Sequence, residues 1–288
     1  MADPLPIPQS ALDRFLLIKW IGDGKDGDVY LTVSKPSPKD PNTRRALKVL
    51  GSMSTVEKSF LESLQKAQDD PDYPVVRLCE YDEKEMGWYT MAMVPGIDIH
   101  ELLQRRYPSG FPPYLVLKVL EHVYKAQRYL HQKGWCHRDI QTGVNIMLHK
   151  DSPTSPFELT LVDYDGIKAY NPDGENICLQ NFYMLASEMT KYATRVPKEH
   201  RKPHDRSGFE QNDLRKADHF YDTFVKGRHT LYGEFETVEG FWSAHGGELE
   251  RLAGALKDEV VDQELQEVLS VPKVMEEDIS RVITQGGL

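Results

Sequence analysis

Three side chains in two short stretches have the chemistry needed to handle a phosphate group and a divalent cation. Asp139 ends the tripeptide His-Arg-Asp, Asn145 lies six residues later, and Asp163 begins Asp-Tyr-Asp. A carboxylate can take a proton from a hydroxyl group, and hard cations prefer carboxylate and amide oxygens. Each residue alone is ordinarily a solvated loop residue. The prediction of a base at Asp139 and metal ligands at Asn145 and Asp163 therefore depends on their order and spacing.

A glycine-rich stretch near the N-terminus is a candidate phosphate-binding loop. Residues 22–29, GDGKDGDV, contain Gly22, Gly24, Gly27 and Val29. Glycines let a backbone come close to phosphate oxygens and direct its N–H groups at them. Taken alone, such glycines are more often a plain hairpin turn. Strand-like residues on both sides favour a loop between two strands over the strand-to-helix turn of a dinucleotide site.

Lys48 lies in RALKVL, a short apolar run at 45–50 that is typical of a strand. It is either an ordinary edge lysine or a cation that holds nucleotide phosphates and is itself held by a helix carboxylate. Glu57 and Glu62 in the predicted next helix are the two candidate carboxylates. We favour Glu62, because a capping box at Ser54–Glu57 already accounts for the other. Glu57 remains the alternative, since apolar residues share its face of the helix.

The elements that must position these residues divide into a strand-rich part and a helix-rich part. Strand patterns dominate up to Pro95-Gly96, and helical patterns dominate after it. The longest predicted helix begins at Pro112-Pro113 and ends near Gly134. This order indicates an α+β protein. We expect an arm at 1–13, a first lobe at 14–95 and a second lobe at 96–288 that includes the tail beyond 225.

Composition excludes several classes of protein. A hydrophobic fraction of 40% argues against disorder, and a net charge of −10 argues against a nucleic-acid partner. Cys79, Cys136 and Cys178 are too widely spaced to indicate a disulfide framework or a metal site. The first residues show no secretory signal, and no apolar run approaches the roughly 18 residues of a membrane span. We expect a cytoplasmic or nuclear protein without a membrane partner.

Taken in order, these motifs resemble the eukaryotic-type protein kinase domain, from about residue 14 to about residue 225. Within that family the chain is most similar to the fungal protein-kinase-like proteins. The resemblance implies a bilobal fold with a small β-rich N-lobe and a helical C-lobe. It also implies ATP and Mg²⁺ as cofactors and a protein hydroxyl, Ser or Thr first, as acceptor.

The resemblance further implies a role for individual residues. It makes Met91 the gatekeeper, Met93 and Val94 the backbone that meets the adenine edge, and Asp98 the ribose contact. It places Asp213, on a helix at 212–224, against the backbone of the catalytic loop, and the end of the activation segment at 181–189. The implied catalytic residues are Asp139, Lys48, Glu62 and Gln141, the metal ligands are Asn145 and Asp163, and the ATP-binding residues are Gly22, Gly24, Gly27, Val29, Ala46, Lys48, Met91, Met93, Val94 and Asp98.

Three departures from the family pattern bear on activity. Gln141 stands where Ser/Thr-type kinases carry a lysine that touches the transferred phosphate, which predicts a slower enzyme. The loop has one extra residue before Asn145, which a bulge at Thr142-Gly143 can absorb. Asp165 replaces a hinge glycine and predicts a segment held in one state. Two alternatives therefore stay open: a kinase-fold binding module without catalysis, and a kinase of small molecules.

The segment at 163–186 contains no serine or threonine, so we predict that activity does not depend on Ser/Thr phosphorylation there. Asp173 or Glu175 would then supply the negative charge for Arg138 that a phosphate supplies elsewhere. Phosphopeptide mapping beside an activity assay checks this. A map showing that phosphorylated Tyr170 is required for activity would contradict it.

Overall fold

The structure is a computed structural model with two compact units. It describes residues 4–24, 26–52, 54, 56–67, 74–108, 110–150, 157–191, 237–255, 265, 269 and 272–285. The first unit comprises Met1–Pro95, Asp163–Ile167 and Ser270–Leu288, and the second comprises Gly96–Val162 and Lys168–Leu269. The helix predicted at 212–224, with Asp213, lies outside the described residues.

A five-stranded antiparallel sheet forms the first unit. Its order is β1-β2-β3-β5-β4. The strands are β1 (Phe15–Gly24), β2 (Gly27–Ser34), β3 (Arg44–Leu50), β4 (Leu78–Tyr81) and β5 (Trp88–Ala92), with a short 3-10 turn at Pro41–Thr43. The predicted hairpin is confirmed, because β1 and β2 pair up to its tip.

One face of this sheet carries a compact apolar core. Helix α1 (Gln9–Leu12) lies at the start of the chain, and its Ala11 is fully buried in that core. Phe15 meets Trp88 edge to face at 5.7 Å between ring centroids. The other buried members of this cluster are Tyr30, Leu47 and Val49. Alternation along each strand directs these side chains to one face.

Helix α2 (Lys58–Lys66) buries Phe60, Leu61 and Leu64. It begins later than the sequence suggested, and the predicted capping box is wrong. Glu57 precedes the helix in extended conformation without capping it through its side chain. The Ser54 hydroxyl instead donates to Asp165.

The last described helix, α7 (Pro272–Gln285), belongs to the first unit. Its Ile279 and Ile283 pack on Leu31 and Val33 of β2. We had assigned the whole tail to the helical lobe, so this part of the assignment is corrected. The physical reason is that the β1–β2 hairpin has an apolar surface that an amphipathic helix can cover.

Helices dominate the second unit. Those in the described part of the unit are α3 (Ile99–Arg105), α4 (Pro113–Gln132), α5 (Pro172–Lys191) and α6 (Val238–Ala255). A three-stranded sheet has the order β6-β8-β9 and a two-stranded sheet has the order β10-β7. These strands are β6 (Gly96–Asp98), β7 (Trp135–His137), β8 (Ile146–His149), β9 (Glu158–Leu161) and β10 (Ile167–Ala169). Among the described helices, none is both long and apolar enough to cross a membrane.

Helix α4 is the central element of the second unit. The predicted inward face is confirmed, and its buried residues include Val116, Val119, Leu120, Val123, Gln127 and Leu130. Near its middle, Tyr124 stacks on Trp242 of α6 with 3.8 Å between ring centroids. The Tyr124 hydroxyl also donates to Glu239 at 2.8 Å.

Helix α5 (Pro172–Lys191) occupies much of the stretch that the resemblance assigns to the activation segment, including the segment end predicted at 181–189. The helix starts at Pro172, and the Asn171 side chain accepts from the Gly174 N–H at 2.7 Å, as a helix N-cap does. Its buried residues recur at helical spacing, and this period is visible in the sequence. They include Cys178, Leu179, Phe182, Leu185, Ala186 and Met189.

A left-handed glycine absorbs the extra residue of the loop before Asn145. Gly143 has φ +77°, and a Cβ there would lie 2.9 Å from Cγ2 of Ile99. We expect Gly143→Ala to lower the free energy of unfolding by about 2–3 kcal/mol, through backbone strain and the contact with Ile99. Urea denaturation measures this change.

The matched control is Gly134→Ala. Gly134 also has positive φ, +84°, but nothing lies within 4 Å of its added Cβ. It should cost about 1 kcal/mol through backbone strain alone. Equal losses in the two variants would contradict a packing role for Gly143.

Candidate active site

Lys48 is the charged centre of the first unit. It is 4% exposed, and its ammonium group lies 2.6 Å from Oδ2 and 2.7 Å from Oδ1 of Asp163. The same group contacts Asp165. Lys48 is flanked across the sheet by Val29 and Tyr89. One buried cation therefore faces two carboxylates.

Glu62 does not take part in this cluster. It is exposed on α2, whereas the inward face of that helix carries Phe60, Leu61 and Leu64. The predicted Lys48–Glu62 pair is therefore not formed in this structure. Phe60, Leu61 and Leu64 are buried at helical spacing, which leaves Glu62 on the outward face, and Asp163 and Asp165 provide the carboxylates instead.

Tyr164 anchors the two aspartates that flank it. Its side chain is fully buried, 5.7 Å from Phe60 and 5.1 Å from Tyr89 between ring centroids. Its hydroxyl donates to the carbonyl of Val76 at 2.6 Å. A tyrosine thus satisfies a buried backbone acceptor that a phenylalanine would leave without this bond. This anchor fixes where Asp163 and Asp165 point.

The carboxyl groups of Asp163 and Asp165 have different pKa values, although both contact Lys48. Burial raises the pKa of Asp163, but the charge and hydrogen bonds of Lys48 outweigh it and lower that pKa to about 2. Burial raises the pKa of Asp165 to about 6, with the Asp163 charge adding to the effect and Lys48 opposing it. A single cation cannot hold both carboxyl groups ionised equally well.

Tyr89 and Ser54 complete the polar contacts of this cluster. The Tyr89 hydroxyl donates to Asp163 at 3.0 Å, and burial raises the pKa of this phenol well above its usual value. The Ser54 hydroxyl contacts Asp165. Sequence patterns predicted neither of these two contacts, because both join positions far apart in the chain.

Asn145 closes the loop of the second unit that follows His-Arg-Asp. The Asn145 side chain donates to the backbone carbonyl of Asp139 at 2.7 Å and to its carboxylate at 3.2 Å. The amide orientation follows from this hydrogen-bond network. It leaves the amide oxygen of Asn145 as the atom that can bind a cation, despite the extra residue in the loop. Gln141 is half-buried in the turn between them.

Three side chains hold the backbone that leads into Asp139. Gln127 of α4 donates to the carbonyl of His137 at 2.8 Å, and the Cys178 thiol contacts the same carbonyl at 3.3 Å. Asn181 of α5 donates to the carbonyl of Arg138 at 2.5 Å. We had predicted a contact of this kind from Asp213, which lies outside the described residues. Asn181 was missed because we placed it in an activation segment.

Arg138 meets an amide in place of the predicted carboxylate. Its guanidinium donates to Oδ1 of Asn171 at 3.4 Å. Asp173 is exposed, and buried Glu175 accepts from the Tyr170 hydroxyl. Glu175 is therefore occupied by Tyr170, and the hydrogen bond of Arg138 goes to the N-cap of α5.

The predicted ATP-binding residues of the first unit lie along neighbouring strands. Gly24 and Gly27 face each other at the hairpin tip, and Gly22 pairs with Val29. Gly27 has no room for a side chain, because a Cβ would lie 2.1 Å from the Val49 carbonyl oxygen. This strand contact accounts for Gly27 without a ligand, so its phosphate role stays a prediction.

The predicted adenine and ribose positions follow further along the chain. Ala46 pairs with Met91 across β3 and β5, and Met91 is buried. Met93 packs against the apolar cluster that joins β2 to Ile279 and Ile283 of α7, and Val94 is half-buried. In the second unit, Asp98 caps α3 by accepting from the Glu101 N–H at 2.7 Å. The cap explains Asp98 structurally, and a ribose contact stays a prediction.

The known proteins that this chain resembles include several named as kinases. Serine/threonine-protein kinase PknF of Mycobacterium tuberculosis is 27% identical over 178 residues, covering 60% of this chain and 36% of the relative. Serine/threonine-protein kinase fray1 of Dictyostelium discoideum is 26% identical over 149 residues, covering 49% and 25%. The chain thus spans about a third or less of these relatives' lengths. A mutant of the Mycobacterium tuberculosis PknI kinase domain matches in fold with a TM-score of 0.51 at 19% identity, covering 83% of this chain and 95% of that one.

A twisted sheet with a buried lysine–aspartate pair and a helical unit with a His-Arg-Asp loop define a protein of the kinase fold class. The family described as protein kinase domain matches residues 15–199. The chain belongs to this family. The predicted α+β protein-kinase-like fold is confirmed.

The raised pKa of Asp165 predicts a pH-dependent stability. In the folded state it is about 6, above the ordinary 3.8. Between these values the folded state binds more protons, so the free energy of unfolding contributed by this group falls as pH rises from about 4 to about 6. Asp165→Asn should remove that fall and gain about 1–2 kcal/mol over the wild type at pH 7. Urea denaturation with a chelator present measures it.

The control is Asp173→Asn, which removes an exposed carboxylate. It should follow the wild-type pH profile. Asp163 acts in the opposite direction below about pH 4, where its contribution is lost as pH falls towards its pKa of about 2. A wild type and an Asp165→Asn variant with parallel profiles between pH 4 and 6 would contradict the assignment.

Proposed function

We propose that this chain is an ATP- and Mg²⁺-dependent phosphotransferase of the protein kinase type, with a serine or threonine hydroxyl as acceptor. The observation that carries the proposal is the buried Lys48–Asp163 pair. Burying an ammonium and a carboxylate costs free energy that hydrophobic residues would not cost. A functional reason for keeping the pair is that Lys48 holds ATP phosphates and Asp163 holds Mg²⁺.

The second unit supplies the remaining chemistry of the proposal. Asp139 orients the acceptor hydroxyl and receives its proton. Asn145 offers its amide oxygen to the metal, because its amide nitrogen is engaged by Asp139. Bound Mg²⁺ neutralises charge on the phosphoryl group being transferred. Gln141 can donate a hydrogen bond but carries no charge, so we expect turnover to be slow.

The Lys48 cluster also suggests a resting arrangement. Without nucleotide, Asp163 and Asp165 neutralise the ammonium group that would hold phosphate. Phosphate binding would replace carboxylate oxygens on Lys48 with phosphate oxygens, and proton uptake by Asp165, whose pKa is about 6, would offset part of the loss of its contact with Lys48. The names of the relatives, which are serine/threonine-protein kinases, support the acceptor class.

A small-molecule acceptor is the second candidate, and the position of α5 favours it. Only eight residues separate Asp163 from Pro172, where the helix begins. An extended segment has backbone groups that can pair with a substrate peptide, whereas a helix satisfies these groups internally. Over the described part of this segment, little extended backbone is available to a peptide. A kinase-fold binding module without turnover is the third possibility.

The decisive experiment is transfer of the labelled γ-phosphate of ATP onto a panel of peptides and small hydroxyl compounds. We expect Asp139→Asn to lower transfer about 10²–10⁴-fold, because the proton acceptor is lost. Asp163→Ala should abolish the response to Mg²⁺. The matched control, Asp173→Asn, should transfer at the wild-type rate.

A thermal shift series with ATP, with and without Mg²⁺, separates the alternatives. Transfer only to small compounds would favour the second candidate. A Mg²⁺-dependent shift without transfer to any acceptor would overturn catalysis and leave the binding module. Retained transfer in Asp139→Asn would contradict the assigned base.

A further inference from the structure

Three potential metal ligands from different elements meet in the core of the second unit. They are His131 in the last turn of α4, Cys136 in β7 and Cys178 in α5. Their ligand atoms all lie within 4.8 Å of one another. Both cysteines are fully buried. Sequence spacing did not indicate this site, because the two cysteines lie 42 positions apart.

We propose that His131, Cys136 and Cys178 form a binding site for a thiophilic cation of the Zn²⁺ class. Thiolate and imidazole ligands favour such ions over Mg²⁺ or Ca²⁺. In a tetrahedral zinc site, two sulfurs at about 2.3 Å from the metal lie about 3.8 Å apart. The observed spread of ligand atoms is close to that geometry, so small side-chain movements suffice. Three protein ligands leave a fourth position for water.

The His131 ring provides a second, independent indication of a ligand. Its Nε2 atom is buried and makes no hydrogen bond with the described residues. A buried ring nitrogen without a partner is costly in an apolar core. A cation bound through Nε2 would satisfy this nitrogen and would replace the hydrogen bonds that join Cys136 to Cys178 and His131.

An ion can reach the cluster from the surface. His131 is only partly buried, and its ring lies 5.1 Å from that of Tyr170 between centroids. Tyr170 is 42% exposed. The cluster can therefore be approached from the side of the partly exposed His131 and Tyr170 rings.

The cluster adjoins the loop that carries Asp139. Cys136 precedes Asp139 by three residues. Cys178 precedes Asn181 by three residues in α5, so Cys178 and Asn181 share one face of that helix. The Cys178 thiol contacts the carbonyl of His137, and Asn181 holds that of Arg138. Metal binding would release the thiol protons, exchange the Cys178 hydrogen bond for a metal bond and tie α4, β7 and α5 together behind the loop.

Cobalt(II) is the probe that tests the site. The full chain, reduced and stripped of metal under anaerobic conditions, is titrated with Co²⁺ and followed by absorption spectroscopy. We expect one equivalent to bind, with thiolate-to-cobalt charge-transfer bands and the intense visible bands of a tetrahedral ion. Excess Zn²⁺ should remove these bands. The thermal midpoint should rise with Zn²⁺, because a ligand that binds only the folded state stabilises it.

Variants assign the ligands. Cys136→Ser and Cys178→Ser should lose the charge-transfer bands, and Cys79→Ser, the matched control in the first unit, should keep them. His131→Gln alters a partly exposed residue at the end of α4. It therefore tests the site even if Cys136→Ser and Cys178→Ser, which alter buried residues, do not fold. It should bind Co²⁺ at least tenfold more weakly.

Three outcomes would overturn the site. The first is a fully reduced wild type that binds no Co²⁺ with thiolate bands. The second is an unchanged spectrum in a folded Cys136→Ser or Cys178→Ser variant. The third is the loss of two thiols to a Cys136–Cys178 disulfide in air, with no metal bound at any stage by the reduced chain. All three read out binding itself and are independent of phosphoryl transfer.

Discussion

The buried ammonium group of Lys48 is the constraint on which the first unit depends. A charge at this depth must be paired, because an isolated buried ion is costly. Asp163 and Asp165 come from a distant stretch of chain to supply the pairing. Their presence explains why the five residues Asp163–Ile167 belong with the sheet. The same pairing sets the unequal acidity of the two carboxyl groups.

Aromatic packing makes this arrangement specific. Tyr164 lies between two aspartates in sequence, and its burial against Phe60 and Tyr89 determines the direction in which its neighbours point. Its hydroxyl adds a directional bond to a backbone carbonyl. Apolar contacts alone tolerate small shifts, whereas this bond selects one register of the segment. The second unit uses the same principle, since amides from α4 and α5 fix the carbonyls before Asp139.

The sequence predicted features that depend on local patterns. The hairpin, the inward face of α4 and the glycine that absorbs the extra loop residue all follow from period and backbone geometry over a few residues. It could not predict which carboxylate meets Lys48, because that choice depends on where α2 begins and which of its faces is buried. The role of Asn181 was missed for a similar reason, since a resemblance to an activation segment outweighed a visible helical period. The cluster around Cys136 depends on contacts between distant elements, which spacing cannot reveal.

The packing of α7 on β2 has a consequence for folding during translation. Lys19 and Asp278, which lie 3.3 Å apart in this contact, are 259 positions apart in the chain. Until residues 272–285 leave the ribosome, Leu31 and Val33 of the hairpin are without Ile279 and Ile283. Contacts between residues so far apart in the chain form slowly. Until they form, the exposed apolar surface of the strands can take part in misassembly. The nascent first unit therefore acquires its full apolar cover only after residues 272–285 have been synthesised.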